Sequence, residues 1–205
     1  MPRGKFITLE GGEGVGKSTQ LKALSRVLGE RGIQVVETRE PGGSDGAESI
    51  RRLLLDERDW PIEAEALLFA AARADHIAKV IQPALERGEW VLSDRFLDSS
   101  LAYQGGAGGL GIERVRELHS FGSGDFLPDR TLILTLDKGQ ERAQARDNGE
   151  SDRIGGRDVA FHHKVDLAFR LIAAEEPERV RIVDASGEES DVTRRLLIAI
   201  EDLLA

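Results

Sequence analysis

Short apolar runs recur along the chain and alternate with longer stretches in which apolar residues return every three or four positions. The short runs predict β-strands at residues 6–9, 34–37, 90–93, 131–136 and 180–183. The longer stretches predict helices at residues 16–31, 45–55, 62–87, 112–121, 138–146, 158–175 and 188–204. Strands separated by helices usually pair in parallel, so the pattern predicts an α/β fold whose five-stranded parallel sheet carries helices on both faces.

Composition fits one compact domain over residues 1–205, because 40% of the 205 residues are hydrophobic and only the glycine-rich stretch 104–111 has low complexity. No run of 18 apolar residues or export signal is visible, which predicts a cytoplasmic protein without a membrane span. The absence of cysteine excludes disulfides, thiolate metal sites and cysteine nucleophiles. A net charge of −9 argues against a nucleic acid polymer as partner.

The first predicted strand runs directly into the pattern Gly11-x-x-x-x-Gly16-Lys17-Ser18. This spacing is typical of a P-loop, in which backbone N–H groups and a helix N-terminus surround a phosphate. Lys17 is expected to reach the β- and γ-phosphates of a nucleotide, and Ser18 to bind Mg²⁺. The pattern therefore predicts a P-loop NTPase fold in which the phosphates of a nucleotide are held by Gly11, Gly12, Glu13, Gly14, Val15, Gly16, Lys17, Ser18 and Thr19.

Charged residues follow two other predicted strands at the edge of the sheet where parallel sheets bind ligands. Asp94 follows the third strand and is suitably placed to hold Mg²⁺, directly or through water. Arg39 and Arg95 are expected to face a second phosphate. The alternative is that each is a solvated loop residue, which is common after strands.

Two further stretches carry candidate chemistry. Phe69 and Arg73 lie one turn apart in the predicted helix 62–87, where an aromatic ring and a guanidinium suit a nucleobase; the alternative is a core phenylalanine beside an arginine that extends to solvent. The segment at about 142–157 is rich in glycine and arginine and predicts a lid over a phosphoryl group, or else a solvated charged segment. His76, His119, His162 and His163 show no metal-ligand spacing and are interpreted as structural.

Together these motifs resemble the bacterial thymidylate kinases, within the nucleoside monophosphate kinases, over nearly the whole chain. The matching segments are EGGEGVGKS at 10–18, TREPGG at 38–43, FxxxR at 69–73, DRF at 94–96, AYQG at 102–105 and DRI at 152–154. The resemblance implies phosphoryl transfer from ATP to dTMP, giving dTDP and ADP, with Mg²⁺, in a homodimer whose natural interface is formed by helices 45–55 and 62–87.

The resemblance also assigns roles to individual residues. Phe69 matches the ring that stacks on thymine, Arg73 the donor to the base carbonyl, and Tyr103 the residue that crowds the ribose 2′ position. The full implied substrate-binding set is Glu13, Arg39, Phe69, Arg73, Arg95, Ser100, Tyr103 and Gln104. The implied catalytic set is Lys17, Arg95, Arg142, Arg146 and Arg153, with Ser18 and Asp94 at the metal.

One branch of the family carries its catalytic arginine in the P-loop, where this chain has Gly14. The bacterial branch supplies it from the lid, which is why Arg142, Arg146 and Arg153 are the candidates here. The chain departs from the family where Gly155 and Gly156 follow Asp152-Arg153-Ile154, since the family commonly has a glutamate after this segment.

Two other functions stay open on sequence grounds. The first alternative is a kinase for another nucleoside monophosphate or for a deoxynucleoside, because the P-loop and Asp94-Arg95 do not select a base. This alternative is disfavoured by Phe69, Arg73 and Tyr103. A regulatory P-loop ATPase is the second alternative. A GTPase is disfavoured, because Leu136-Asp-Lys-Gly stands where a guanine-specific Asn-Lys-x-Asp motif would follow the fourth strand.

Overall fold

The computed structural model describes residues 2–56, 59–136 and 156–204. The five predicted strands are all present, as β1 (Phe6–Gly11), β2 (Val35–Arg39), β3 (Trp90–Asp94), β4 (Arg130–Thr135) and β5 (Val180–Asp184). They form one parallel sheet in the order β2-β3-β1-β4-β5. Because β2, β3 and β1 are neighbours in this order, their carboxyl ends lie side by side, and the candidate residues lie at or just after these ends.

The helices that match predictions are α1 (Lys17–Glu30), α2 (Asp45–Leu55), α3 (Ile62–His76), α4 (Gln82–Glu86), α6 (Ile112–Ser123), α7 (Val159–Glu175) and α8 (Glu189–Ala199). A 3₁₀ turn (Glu201–Leu203) follows α8. The predicted helix 62–87 is continuous but contains a π-helical segment, Ile77–Ile81. Pro83 lies just after it and has no N–H to donate to the preceding turn, which accounts for this local change of winding. The predicted helix 138–146 lies outside the described residues.

The sequence prediction missed one helical region and was wrong about the start of the glycine-rich loop. Helix α5 (Leu97–Ser100) continues into a second π-helical segment, Leu101–Ala107, so residues 104–107 are helical. Glycine is a poor helix former, and tertiary packing overrides that preference here. A Cβ on Gly106 would lie 2.6 Å from the Cβ of Ala168 in α7, so glycine permits this close contact.

Two apolar cores form because successive strand residues point to opposite faces of the sheet. Phe6 and Val91 pack with α3, α6 and α7 on one face. Ile7 and Leu92 pack with α1 and α8 on the other. Helices therefore cover both faces, as predicted. Over the described ranges, no helix combines the length and apolar character needed to cross a membrane.

Candidate active site

The loop between β1 and α1 has the backbone of a phosphate-binding loop. Gly11 has φ of 126° and Gly16 has φ of 87°, a left-handed region that L side chains rarely adopt. A Cβ on Gly11 would lie 2.3 Å from the Leu134 carbonyl oxygen of the neighbouring strand. The glycines of the motif are therefore required by the turn and by the sheet, and Gly16 leads directly into the first residues of α1.

Lys17 is buried at the start of α1, and its ammonium group lies over this loop. Its Nζ donates to the Gly12 carbonyl at 2.5 Å and lies 3.4 Å from the Gly11 carbonyl. Burial, with the positive charge of Arg95, lowers the pKa of Lys17 to about 7, although Asp94 and nearby glutamates oppose the shift. A bound polyphosphate would supply the negative charge that this cation lacks.

Ser18 and Asp94 meet although they are far apart in sequence. The Ser18 hydroxyl donates to Asp94 Oδ2 at 2.6 Å. A hydroxyl and a carboxylate are oxygen ligands of the kind that Mg²⁺ prefers when phosphates and water complete its coordination. Within the described ranges no cluster of three or more acidic, histidine or cysteine residues could hold a metal alone. The pair therefore fits a Mg²⁺ ion that arrives with a nucleotide.

Arg95 lies between the P-loop and the substrate side of the site. It has a left-handed backbone with φ of 70°. Its Nη1 donates to the Gly11 carbonyl and to Ser99 Oγ, each at 3.0 Å, and its guanidinium lies 5.1 Å from the centre of the Tyr103 ring. Burial lowers the pKa of Arg95, but Tyr103, Asp94 and Glu10 raise it further than burial lowers it. Arg95 is thus a fixed cation.

Glu10 binds the segment that follows β3, next to Arg95, and sequence analysis gave Glu10 no role. It is fully buried at the end of β1, where it accepts from the Phe96 N–H at 2.8 Å and from the Ser99 hydroxyl at 2.5 Å. Burial raises the pKa of Glu10 to about 8, and the charge of Asp98 adds to the effect. Its position in the EGGEGVGKS segment was the available signal, but its burial depends on residues more than 80 positions away.

A cavity of about 340 Å³ opens beside these groups. All eight residues of the predicted substrate set line it, and so do Ser18 and Asp94. The cavity has two ends, which we call the P-loop end (Glu13, Ser18, Arg39, Asp94 and Arg95) and the Arg73 end (Phe69, Arg73, Ser100, Tyr103 and Gln104). Arg39 at the first end is exposed and pairs with Glu48 at 3.0 Å.

Arg73 is only 2% exposed, so the alternative that it extends to solvent is wrong. Its Nε donates to Glu40 Oε2 at 2.9 Å, and its Nη2 donates to Ser100 Oγ at 2.7 Å. The guanidinium also lies 5.3 Å from the centre of the Phe96 ring. These contacts hold the arginine in one orientation and leave Nη1 as the amino group available to a ligand in the cavity.

Glu40 and His76 form the support behind Arg73, and both were missed as positioning residues. Glu40 follows β2 and accepts from His76 Nδ1 at 3.1 Å through the oxygen that does not bind Arg73. His76 Nε2 lies 2.7 Å from Thr38 Oγ1. The TREPGG segment pointed to this region, but sequence gave no sign that its glutamate is buried against α3. The structural interpretation of His76 agrees with these contacts.

The remaining residues of the Arg73 end come from separate elements. Phe69 is half-buried on α3, and Tyr103 and Gln104 lie in the π-helical segment Leu101–Ala107. Tyr103 is packed against Phe161, with ring centres 6.1 Å apart. A ring face, a guanidinium, a phenol and an amide thus surround one compartment, which suits a planar heterocycle with carbonyl groups.

The predicted lid arginines Arg142, Arg146 and Arg153 lie outside the described residues, as does Gly155. Arg157, at the end of the same predicted segment, is described. Its Nη2 donates to Glu65 Oε2 at 2.7 Å, and its guanidinium lies 4.5 Å from the centre of the Phe161 ring. Arg157 is therefore held near the Arg73 end of the cavity. Arg51, which donates to the Pro41 carbonyl at 2.7 Å, is a cavity cation that sequence analysis did not identify.

Comparison with known proteins agrees with this geometry. The model of the family described as thymidylate kinase matches residues 9–196. The chain is 60% identical over 206 residues to a thymidylate kinase of Rhizorhabdus wittichii, covering 98% of this chain and 99% of the relative. It is 47% identical to one from Rhodopseudomonas palustris (97% and 89% covered) and 44% identical to one from Bacillus pumilus (98% and 97%). The chain therefore belongs to the thymidylate kinase family.

Proposed function

We propose that this protein transfers the γ-phosphoryl group of ATP to dTMP, giving dTDP and ADP. The observation that carries the proposal is the single cavity that joins a P-loop to a compartment lined by Phe69, Arg73, Tyr103 and Gln104. In a chain of the thymidylate kinase family, this arrangement would give a nucleoside triphosphate and a nucleoside monophosphate adjoining positions.

In this proposal the two cavity ends divide the work. A phosphate oxygen of dTMP forms the new bond to the γ-phosphorus while the bond from that phosphorus to the β,γ-bridging oxygen of ATP breaks, and the electron pair leaves with ADP. No protein nucleophile is needed, so positioning and charge stabilisation suffice. Lys17 stabilises charge on the transferring group, and Arg39 and Arg95 hold the acceptor phosphate near Glu13.

Mg²⁺ belongs to the same proposal. Ser18 and Asp94 are the residues that would hold it, and the ion would neutralise charge on the ATP phosphates. Their direct 2.6 Å hydrogen bond supports this assignment, because both oxygens already lie at one point beside the P-loop. Arg142, Arg146 and Arg153 remain proposed contributors from the lid segment.

At the Arg73 end, Phe69 would stack on thymine, Arg73 Nη1 would donate to a base carbonyl, and Tyr103 would oppose a ribose 2′-hydroxyl. Ser100 and Gln104 would complete the contacts to the base. The support is that Arg73 and Tyr103 are buried and held by neighbours, so their polar atoms are preorganised before a ligand arrives.

The test is ADP formation with ATP and Mg²⁺ across dTMP, dUMP, UMP, dCMP, CMP, AMP, GMP and thymidine, with a control lacking any acceptor. We expect a strong preference for dTMP. Preference for another monophosphate, or for thymidine, would leave the kinase activity standing but would overturn the assignment of the Arg73 end to the dTMP base. ADP formation without an acceptor would instead support a regulatory ATPase.

We also propose that the protein is a homodimer and acts in the cytoplasm. The dimer is supported by apolar side chains on the adjacent helices α3 and α6, where Leu67 is 55% exposed and Phe121 is 95% exposed. Sedimentation should give a dimer for the wild type and a monomer for Phe121→Glu. Ile198→Glu, at an exposed apolar position on α8 across the sheet, is the matched control and should stay dimeric.

A further inference from the structure

Glu65 is a fully buried carboxylate of α3 that stands behind the cavity and does not line it. Each of its oxygens accepts a hydrogen bond from a different direction. Oε1 accepts from Gln104 Nε2 at 2.9 Å, and Oε2 accepts from Arg157 Nη2 at 2.7 Å. A buried carboxylate bound to a neutral amide and to a guanidinium is a costly arrangement unless both donors are held in place.

The contact with Glu65 decides which atom Gln104 offers to a ligand. A side-chain amide has a donor end and an acceptor end, and rotation by a half-turn exchanges them. Because Glu65 takes the Nε2 end, the carbonyl oxygen Oε1 is the end left over. Gln104 lines the cavity. Within the described ranges, no group donates a hydrogen bond to its Oε1, and this oxygen is not closed off by surrounding protein atoms. The cavity wall therefore presents an acceptor at this point.

We propose that Glu65 is a positioning residue that fixes the Gln104 amide and thereby selects a base whose N3 carries hydrogen. This inference rests on the proposed function. Thymine and uracil have an N3–H donor, whereas cytosine has an unprotonated acceptor at N3. Arg157 contributes to this selection. Its guanidinium can only donate hydrogen bonds, so it always occupies one oxygen of residue 65 and leaves the other end of that side chain to Gln104.

The substitution Glu65→Gln tests this logic with almost no change in shape. Arg157 would take the single carbonyl oxygen of the new amide, whose NH₂ group would then face Gln104. Gln104 would have to turn its own carbonyl toward that NH₂ group and present Nε2 to the cavity. The wall would change from an acceptor to a donor at the position of N3.

The measurement is the ratio of kcat/KM for dTMP to that for 5-methyl-dCMP, which keeps the methyl group of thymine but has an unprotonated acceptor at N3. We expect a large ratio in the wild type and a ratio about 10- to 100-fold smaller in Glu65→Gln, as for one buried hydrogen bond replaced by two facing donors. The ratio of kcat/KM for dTMP to that for dCMP should decrease as well. It should stay above one, because Arg73 still favours a base with a carbonyl group over one with an amino group. An unchanged ratio in a folded Glu65→Gln variant overturns the proposal.

The exchange variant Glu65→Gln/Gln104→Glu provides the rescue. Its new residue 65 can donate to the carboxylate at 104, whose second oxygen again faces the cavity as an acceptor, so the ratio should rise toward the wild-type value. A purely structural role for Glu65 would not give this recovery, and its failure in a folded variant counts against the proposal. Glu63→Gln, at an exposed carboxylate of the same helix, is the matched control, and its ratio should stay close to the wild-type value.

Thermal unfolding of each variant shows whether it folds. If Glu65→Gln does not fold, the wild-type ratio and the exchange variant decide the question. A wild type that phosphorylates 5-methyl-dCMP as well as it phosphorylates dTMP overturns the Glu65 assignment while leaving the proposed kinase activity intact. A wild type that fails to phosphorylate dTMP overturns the proposed function itself.

Discussion

The two ends of the cavity are built on different principles. At the P-loop end, consecutive residues form the phosphate-binding turn, because Gly11, Gly16 and Lys17 belong to the loop between β1 and α1, and Asp94 and Arg95 join this turn from the end of β3. At the Arg73 end, contacts between distant residues create it: Arg73 binds Glu40, 33 positions away, and Gln104 binds Glu65, 39 positions away. The backbone preorganises the phosphate-binding turn of the first end, whereas buried ion pairs and hydrogen bonds preorganise the second. Substitutions should therefore affect catalysis alone at the first end, and catalysis together with stability at the second.

The largest expected effect is that of Lys17→Ala. Loss of the cation facing the transferring phosphoryl group should reduce kcat by about 10³-fold or more, with little change in folding. Steady-state assays with circular dichroism would measure both quantities. Lys22→Ala, at an exposed position of the same helix, is the control and should keep wild-type turnover. Near-normal turnover in Lys17→Ala would contradict the role of the P-loop lysine.

Arg73→Met and Arg39→Met compare the two ends directly. Arg73→Met leaves Glu40 buried without its guanidinium partner and should lower the free energy of unfolding by about 3–5 kcal/mol. Arg39→Met removes an exposed pair with Glu48 and should cost about 1 kcal/mol or less. Urea unfolding measures these changes, and kcat/KM for dTMP should fall in both variants. Equal losses of stability would show that the two ends do not differ as we describe.

A pH effect is expected at the P-loop end. The pKa of Lys17 is lowered to about 7, so at pH 8 most of the free protein carries a neutral Lys17. Bound triphosphate favours the charged form, and ATP binding should therefore take up a proton and tighten as the pH falls from 8 toward 7. Calorimetry in buffers of different ionisation enthalpy detects this proton. Lys17→Met should abolish the uptake, and its persistence would assign the proton to another group.

A smaller pH effect is expected from Glu10, between the two ends. Its pKa is raised by folding from 4.5 to about 8, so its contribution to stability is complete below pH 4.5 and is lost as the pH rises through 8. The Glu10→Gln variant mimics the protonated form and lacks this dependence. Urea unfolding of both proteins from pH 5 to pH 9 should show a stability difference that grows with pH in favour of the variant. A constant difference would mean that Glu10 does not titrate in this range.

Sequence analysis predicted the P-loop end more completely than the Arg73 end. The Gly11–Ser18 spacing and the end of the third predicted strand identified Lys17, Ser18, Asp94 and Arg95, all of which the fold brings together. At the Arg73 end the family resemblance identified the residues that line the cavity. It did not identify Glu40, Glu65 and His76, which hold those residues from behind.

The five strands, most of the helices and the phosphate-binding turn could be predicted from the amino-acid sequence alone. These features depend on hydrophobic periodicity and on backbone angles that neighbouring residues fix among themselves. The strand order, the helical winding of residues 101–107 and the burial of Glu10, Glu40 and Glu65 became known only from the folded structure. A buried carboxylate is stable only where other groups donate hydrogen bonds to it. The donor Arg157 lies 92 positions from Glu65, and no local sequence pattern indicates that the two residues will be in contact.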